Sequence, residues 1–292
     1  MEFLSYLISG INLGSVYAII ALGYTMVYGI AKMLNFAHGD VIMVGGYISL
    51  CAMIYLGLPS LIAILLAMVV CTVLGVVIEG LAYRPLRQAS SLAVLITAIG
   101  VSYFLQNAAL LIWGANPQSY TSVISGSLKL FGGQLTISYV SLLTIAACIV
   151  IMIALTLFTS KTKMGKAMRA CSEDKGAAQL MGINVNRTIS MTFAIGSALA
   201  AIAGVLLCSS YPTLMPTTGS MPGIKAFTAA VFGGIGSIPG ALLGGILLGI
   251  IESMAKAYIS TQLANVIVFA VLIIVLLVRP TGLLGKYVPE KV

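Results

Sequence analysis

The segment 161–187, KTKMGKAMRACSEDKGAAQLMGINVNR, is the one long polar interruption in an otherwise apolar chain, and six of the fifteen Lys and Arg residues fall in it. Its local grammar is helical. Ser172 stands where a helix N-cap belongs, its hydroxyl placed to accept from orphan backbone N–H groups. Glu173 and Asp174 follow in a first turn, where negative charge meets the positive end of the helix dipole. Ala177, Ala178, Leu180 and Met181 continue a short helix of small and apolar side chains, and Gly182 stops it. A basic segment precedes it, with Lys166 and Arg169 three residues apart and so on one helix face. The expected product is a pair of short helices forming a knob on a loop, shaped for docking.

Outward from this segment the chain is 60% apolar and only 8% charged, whereas a soluble domain carries about a quarter charged residues. Such a chain belongs in a bilayer. A spanning helix needs ~20 apolar residues, and charge-free runs cover 3–31, 41–78, 88–128, 130–160, 188–224, 226–251 and 257–278. Several are long enough for two passages. The expectation is a single-domain, all-α polytopic membrane protein over 1–292, with about seven full spans plus a glycine-rich re-entrant or discontinuous helical hairpin, about eight to nine membrane segments in all. The net charge of +8 marks sidedness here rather than nucleic-acid binding, which clusters basic residues on one solvated face. Cys51, Cys71, Cys148, Cys171 and Cys208 lie far apart, with no CxxC and one histidine in the chain, so they read as small core residues and not as a metal site. With Glu2 and no basic segment at the start, 3–31 reads as a retained span rather than a signal peptide.

In chain order, the first span is dotted with Gly10, Gly14, Gly23 and Gly29, small residues that let membrane helices approach closely. After Lys32, the stretch Asn35-Phe-Ala-His38-Gly-Asp40 leads into a second span, and Leu58-Pro59-Ser60 turns into a third that ends at Tyr83-Arg-Pro-Leu-Arg87. A fourth, about 90–113, contains Thr97, Ser102, Gln106 and Asn107. The loop at about 114–138 predicts a hairpin, 127–131 against 134–138 around Gly132-Gly133. A fifth span ends near Phe158, and a sixth runs from about Thr188 to Cys208. Ser209–Lys225, with three prolines, suits a loop dipping into protein. The run 226–251 is broken at Gly236-Ser-Ile-Pro239-Gly into halves each too short to cross comfortably. The last span is about 262–278.

If the N-terminus lies outside, the inside receives Lys32, Arg84, Arg87, the six basic residues of 161–187, Arg279, Lys286 and Lys291, twelve of the fifteen. Lys129, Lys225 and Lys256 fall outside, which is the bias of the positive-inside rule. A re-entrant glycine-rich segment and one crossing twice give the same count.

Gly234-Ile-Gly236-Ser-Ile-Pro-Gly240 misses the GxGxxG spacing, and nothing matches a P-loop. Gly236, Gly240, Gly244, Gly245 and Gly249 therefore read as helix-packing positions at four-residue steps. His38 reads as a structural residue at an inner boundary, where Asp40 can cap the next helix. Glu79 sits near the inner interface, in reach of Arg84 or Tyr83, and Glu252 is placed at the periphery. Asn12, Tyr17, Asn35, Gln106, Asn107, Thr217 and Thr218 are candidate linings of a translocation path, the amides being equally suited to hydrogen bonds between helices. A paired nucleophile and base is missing, which argues against an enzyme.

The series Gly14-Ser-Val-Tyr-Ala18, Gly29-Ile-Ala-Lys-Met-Leu-Asn-Phe-Ala-His-Gly-Asp40, Tyr83-Arg-Pro-Leu-Arg87, Met164–Asn184 and Lys225–Gly249 resembles the permease of branched-chain amino acid ABC importers, of the LivH type. The resemblance implies a multi-pass permease of a prokaryotic inner membrane, N-terminus outside and C-terminus cytoplasmic. It implies as partners a second, similar permease subunit, two cytoplasmic ATPases that bind ATP and Mg, and an extracytoplasmic binding protein. The chain itself would hold no cofactor. By the same resemblance 161–187 is a cytoplasmic coupling loop, with Arg169, Ser172, Glu173, Asp174, Lys175, Gly176 and Gly182 in the part that seats in the ATPase groove. Alternative expectations are an importer of urea or short amides and a carrier driven by an ion gradient.

Overall fold

Away from water every backbone N–H and C=O needs an internal partner, so the apolar runs become helices. A computed structural model describes residues 2–130 and 135–285. The helices are α1 (Glu2–Ala31), α2 (His38–Ile54), α3 (Ser60–Ile78), α4 (Ser91–Trp113), α5 (Tyr139–Lys161), α6 (Lys163–Glu173), α7 (Lys175–Leu180), α8 (Val185–Ser210), α9 (Ser220–Gly233), α10 (Ile238–Tyr258) and α11 (Ala264–Val278). A π-helical turn, Glu79–Tyr83, extends α3. Among the described residues α1, α3 with this turn, α4, α5, α8 and α10 are long and apolar enough to cross a membrane, and α2 and α11 are shorter apolar helices. The chain is thus a helical, polytopic membrane protein.

The core is built on α1 and α8. Val16 to Leu22 of α1 are almost wholly buried, because α1 packs against α10, α8, α9 and α5. On α10 the glycines divide between two neighbours. A Cβ on Gly249 would lie 2.2 Å from Gly14 Cα, and one on Gly245 would lie 2.5 Å from Ala18, so α1 and α10 touch backbone to backbone. Gly240 and Gly244 instead meet Gly233 and Ala229 of α9. Gly236 departs from the packing expectation: with φ +94° it belongs to the turn between α9 and α10, a conformation glycine adopts without a Cβ clash. Ser237 follows and caps α10, accepting from Gly240 N–H.

The second half of the glycine-rich region is not too short to cross. At 21 residues α10 continues through Glu252 and Lys256, whose charges end the apolar run but pair at 2.6 Å. The first half, α9, has 14 residues and follows a dipping stretch. That stretch carries β4 (Thr213–Leu214), which pairs antiparallel with β1 (Gln118–Ser119) and so ties it to the 114–138 loop. Gly219 then lies against Gly39, and the N-termini of α9 and α2 meet inside the bundle.

β2 (Ser127–Leu130) and β3 (Leu135–Ser138) form an antiparallel hairpin in the register Ser127↔Ser138 to Leu130↔Leu135. The expected Gly132-Gly133 turn lies outside the described residues, as do Lys286 and Lys291. Ser253 Oγ donates to Tyr6 O, and the Tyr6 and Tyr258 rings are 5.9 Å apart, so α1 begins where α10 ends. At the opposite end Gly29 adjoins Gly236, and the N–H groups of Leu283 and Leu284 donate to Phe232 and Gly233 carbonyls.

Candidate functional site: a coupling knob and a charged cavity

The polar segment folds as two short helices. Thr162 caps α6, its Oγ1 accepting from Gly165 N–H at 3.0 Å. Ser172 is not the cap of the next helix. The basic segment stays helical through Glu173, so Ser172 lies inside α6 and donates to Arg169 O at 2.7 Å. Asp174 is extended (φ −153°, ψ 116°) and takes the capping role, its Oδ1 accepting from Ala177 N–H at 3.0 Å. Carboxylate and hydroxyl both serve at this position. At the other end Gly182, φ +82°, donates to Gln179 O and Ile183 N–H donates to Ala178 O, the bond pair of a Schellman motif.

Two contacts join this knob to α1. Met168 and Cys171 of α6 and Ala178 of α7 pack on Met26 and Ile30. The Lys175 Nζ donates to Ala31 O at 2.8 Å, a cation at the C-terminal, negative end of α1. Burial pushes the Lys175 pKa down, and Arg87 and Lys32 push it the same way. Burial likewise raises the Cys171 thiol. Arg169 reaches back to Ser160 O at 3.3 Å. Gly165 lets α6 fold tightly onto α5, since a Cβ there would lie 2.2 Å from Phe158 O. Gly176 is exposed, and beyond it Leu180 and Met181 project at 90% and 83% exposure.

Next to the knob Glu79 pairs with Arg87 rather than Arg84, and Ser190 Oγ donates to its other oxygen at 2.6 Å. The π-helical turn carries the chain past Arg84, which stays exposed, and Arg87 returns over the carboxylate while also donating to Asn186. Tyr83 donates to Asn35 Oδ1 at 2.9 Å instead. Asp40 does not cap α2. It lies in the first turn, and its Oδ1 accepts from Gln106 Nε2 at 2.9 Å. The same amide reaches Ser102 at 3.2 Å and Ser220 at 3.3 Å, joining α4 to the meeting point of α2 and α9.

Toward the end shared by Tyr6 and Tyr258 lies a cavity of about 240 Å³, lined by Leu13, Tyr17, Leu207, Tyr211, Thr213, Thr218, Met221, Pro222, Lys225, Glu252 and Lys256. Glu252 is neither peripheral nor exposed. It is buried, its Oε1 accepting from Lys225 at 2.7 Å and Lys256 at 2.6 Å, and its Oε2 accepting from the Tyr17 hydroxyl at 2.8 Å. Lys225, expected in an outer loop, is buried in α9. The sequence held a signal for this cluster: lone charges between long apolar runs mark intramembrane ionisable residues. What it lacked was the pairing across 27 residues.

The seven candidate path residues do not converge. Tyr17 and Thr218 line the cavity. Asn12 is buried, and its Oδ1 has no hydrogen-bond partner among the described residues. Asn35 and Gln106 bond other helices as given above, Asn107 turns onto Tyr103 O at 2.7 Å, and Thr217 is exposed.

The sequence profile of the family described as "Branched-chain amino acid transport system / permease component" matches residues 6–276. The chain is 47% identical to the "High-affinity branched-chain amino acid transport system permease protein BraD" of Pseudomonas aeruginosa, over 100% of this chain and 98% of that protein. It is also 47% identical to the permease protein LivH of Escherichia coli K12, with the same coverage. A probable LivH of Methanocaldococcus jannaschii is 31% identical, over 91% of this chain and 88% of its own length. With a profile match across nearly all of its length and relatives this similar end to end, the chain belongs to the family of branched-chain amino acid transport permease components.

Proposed function

We propose that this chain is the membrane-spanning permease subunit of an ATP-driven importer of branched-chain amino acids, working with a second permease subunit, two cytoplasmic ATPases and an extracytoplasmic binding protein. Membership of the family supports the class. The observation that carries the mechanism is the knob: capped at both ends, bonded to α1 through Lys175, and tipped by exposed Leu180 and Met181. Two large apolar side chains on a polar loop are unfavourable in water and fit a groove on another protein. ATP-driven closure of the ATPases would then move α6 and α7 as one body, and α1 with them.

In this reading Glu2 lies outside, and the Gly29–Gly236 end, the knob and Gly285 lie in the cytoplasm. The stretch 211–219 and α9 together make one passage, so the glycine-rich region crosses twice, down through α9 and back through α10. The 114–138 loop, pinned to β4, faces the binding protein.

The test is uptake of L-leucine into proteoliposomes holding the full complex, with ATP supplied on the ATPase side. Leu180→Ser combined with Met181→Ser should cut uptake by about tenfold or more while the permease still folds, because side chains this exposed contribute little to stability. A carrier driven by an ion gradient is the second reading, favoured by the buried carboxylates Asp40, Glu79 and Glu252. Leucine uptake driven by a proton gradient without the ATPases would establish that reading and overturn the first.

A further inference from the structure

We propose that the cavity between α1, α8, α9 and α10 is a subsite for the carboxylate group of the transported amino acid, with Lys256 and Lys225 as its anion-binding groups. The proposal rests on the import reading given above.

Charge is the first ground. Among the described residues the cavity wall carries one carboxylate, Glu252, against two ammonium groups. Lys225 alone, buried at 2.7 Å, would neutralise Glu252, so Lys256 leaves an excess positive charge in a partly dry site. A purely structural ion pair needs no second cation, and desolvating one opposes stability. An incoming carboxylate satisfies it with a charge-assisted hydrogen bond.

Position is the second. Lys256 is four residues from Glu252 on α10, and its side chain is 38% exposed against 8% for Lys225. Its flexible stem can leave Glu252 for a ligand while Lys225 and the Tyr17 hydroxyl keep that carboxylate held. Shape is the third. Leu13, Leu207, Met221 and Pro222 give the cavity an apolar wall beside the charged one, which suits a ligand with a carboxylate at one end and a short aliphatic group at the other. Its volume of about 240 Å³ lies below the roughly 300–1,000 Å³ of sites for drug-sized ligands. That size suits a small solute such as an amino acid.

The experiment is ligand-observed saturation-transfer NMR on the intact transporter complex in nanodiscs, without the binding protein. The probes are L-leucine, 4-methylpentanoate, which lacks the ammonium group, and leucinamide, which lacks the carboxylate. Leucine and 4-methylpentanoate should bind comparably, with leucinamide about tenfold weaker or worse. Lys256→Gln should weaken leucine by a similar factor, and Lys256→Arg should restore it. Leucinamide binding as tightly as leucine, or a Lys256→Gln complex that binds leucine like the wild type, overturns the subsite. If Lys256→Gln does not assemble, the three probes on the wild-type complex decide alone. ATP-driven leucine uptake without carboxylate preference at the cavity sinks the subsite and leaves the transport reading standing. Carboxylate-selective binding in a complex that takes up no leucine does the reverse.

Discussion

At the scale of single residues the knob depends on Gly182 and Lys175. Gly182 holds φ +82° in open space, with nothing within 4 Å of the point where a Cβ would stand, so a substitution there changes the backbone preference alone. The left-handed conformation costs an L-residue roughly 1–2 kcal/mol, and it costs valine more. Gly182→Val should open the Schellman turn and lower ATP-driven uptake by about fivefold or more, with membrane insertion unchanged on immunoblots; full uptake would remove the knob from the mechanism. Lys175 gives a pH signature. Burial, reinforced by Arg87 and Lys32, lowers its pKa from 10.5, so the unfolded chain keeps this proton to higher pH than the folded one. Between the lowered value and 10.5 the site's contribution to stability therefore rises with pH, and it is smallest at neutral pH. Lys175→Met removes that slope. The melting temperature of wild type relative to Lys175→Met should climb as the pH rises toward 10.5, and a difference that stays flat would count against the burial of this amine.

At the scale of elements the α1–α10 seam is the most extensive helix contact among the described residues, and its glycines are unequal. Gly245→Ala puts a methyl 2.5 Å from the Ala18 backbone, and overpacking of this kind costs roughly 1–3 kcal/mol. Gly100 on α4 has nothing within 4 Å, so Gly100→Ala should be neutral or stabilising by roughly 0.5–1 kcal/mol. Thermal denaturation of the detergent-solubilised protein compares them, and equal shifts would mean that helix propensity matters here and close approach does not. The seam also bears on function, because Tyr17 of α1 and Glu252 of α10 face each other across it at 2.8 Å. In the proposed mechanism, motion delivered to α1 by the knob would reach the cavity through this one helix.

At the scale of the whole molecule the arrangement of ends is testable by labelling. Cys171 is 1% exposed, so reaction at its thiol reports burial rather than side. Gln179→Cys on α7 and Ser125→Cys in the 114–138 loop are both exposed and stand at opposite ends of the proposed topology. A membrane-impermeant maleimide should label Ser125→Cys in intact cells and Gln179→Cys only in inside-out vesicles. Labelling of Gln179→Cys from outside would invert the topology and detach the knob from any cytoplasmic ATPase.

Much of this protein was legible in the sequence, because the bilayer turns local composition into structure. Apolar runs of span length had to become helices, the polar segment 161–187 had to leave the membrane, and Gly182 had to end a helix. Those inferences need only neighbours along the chain. The cap fell on Asp174 rather than Ser172 because a helix boundary depends on where the preceding helix ends. The partner of Glu79 was Arg87 because a single π-helical turn redirects the chain. The joining of Lys225, Glu252, Lys256 and Tyr17 into one charged cavity came from tertiary structure alone. Glycine against glycine brings α1 and α10 together there, and no periodicity within either helix records which charge the other will meet.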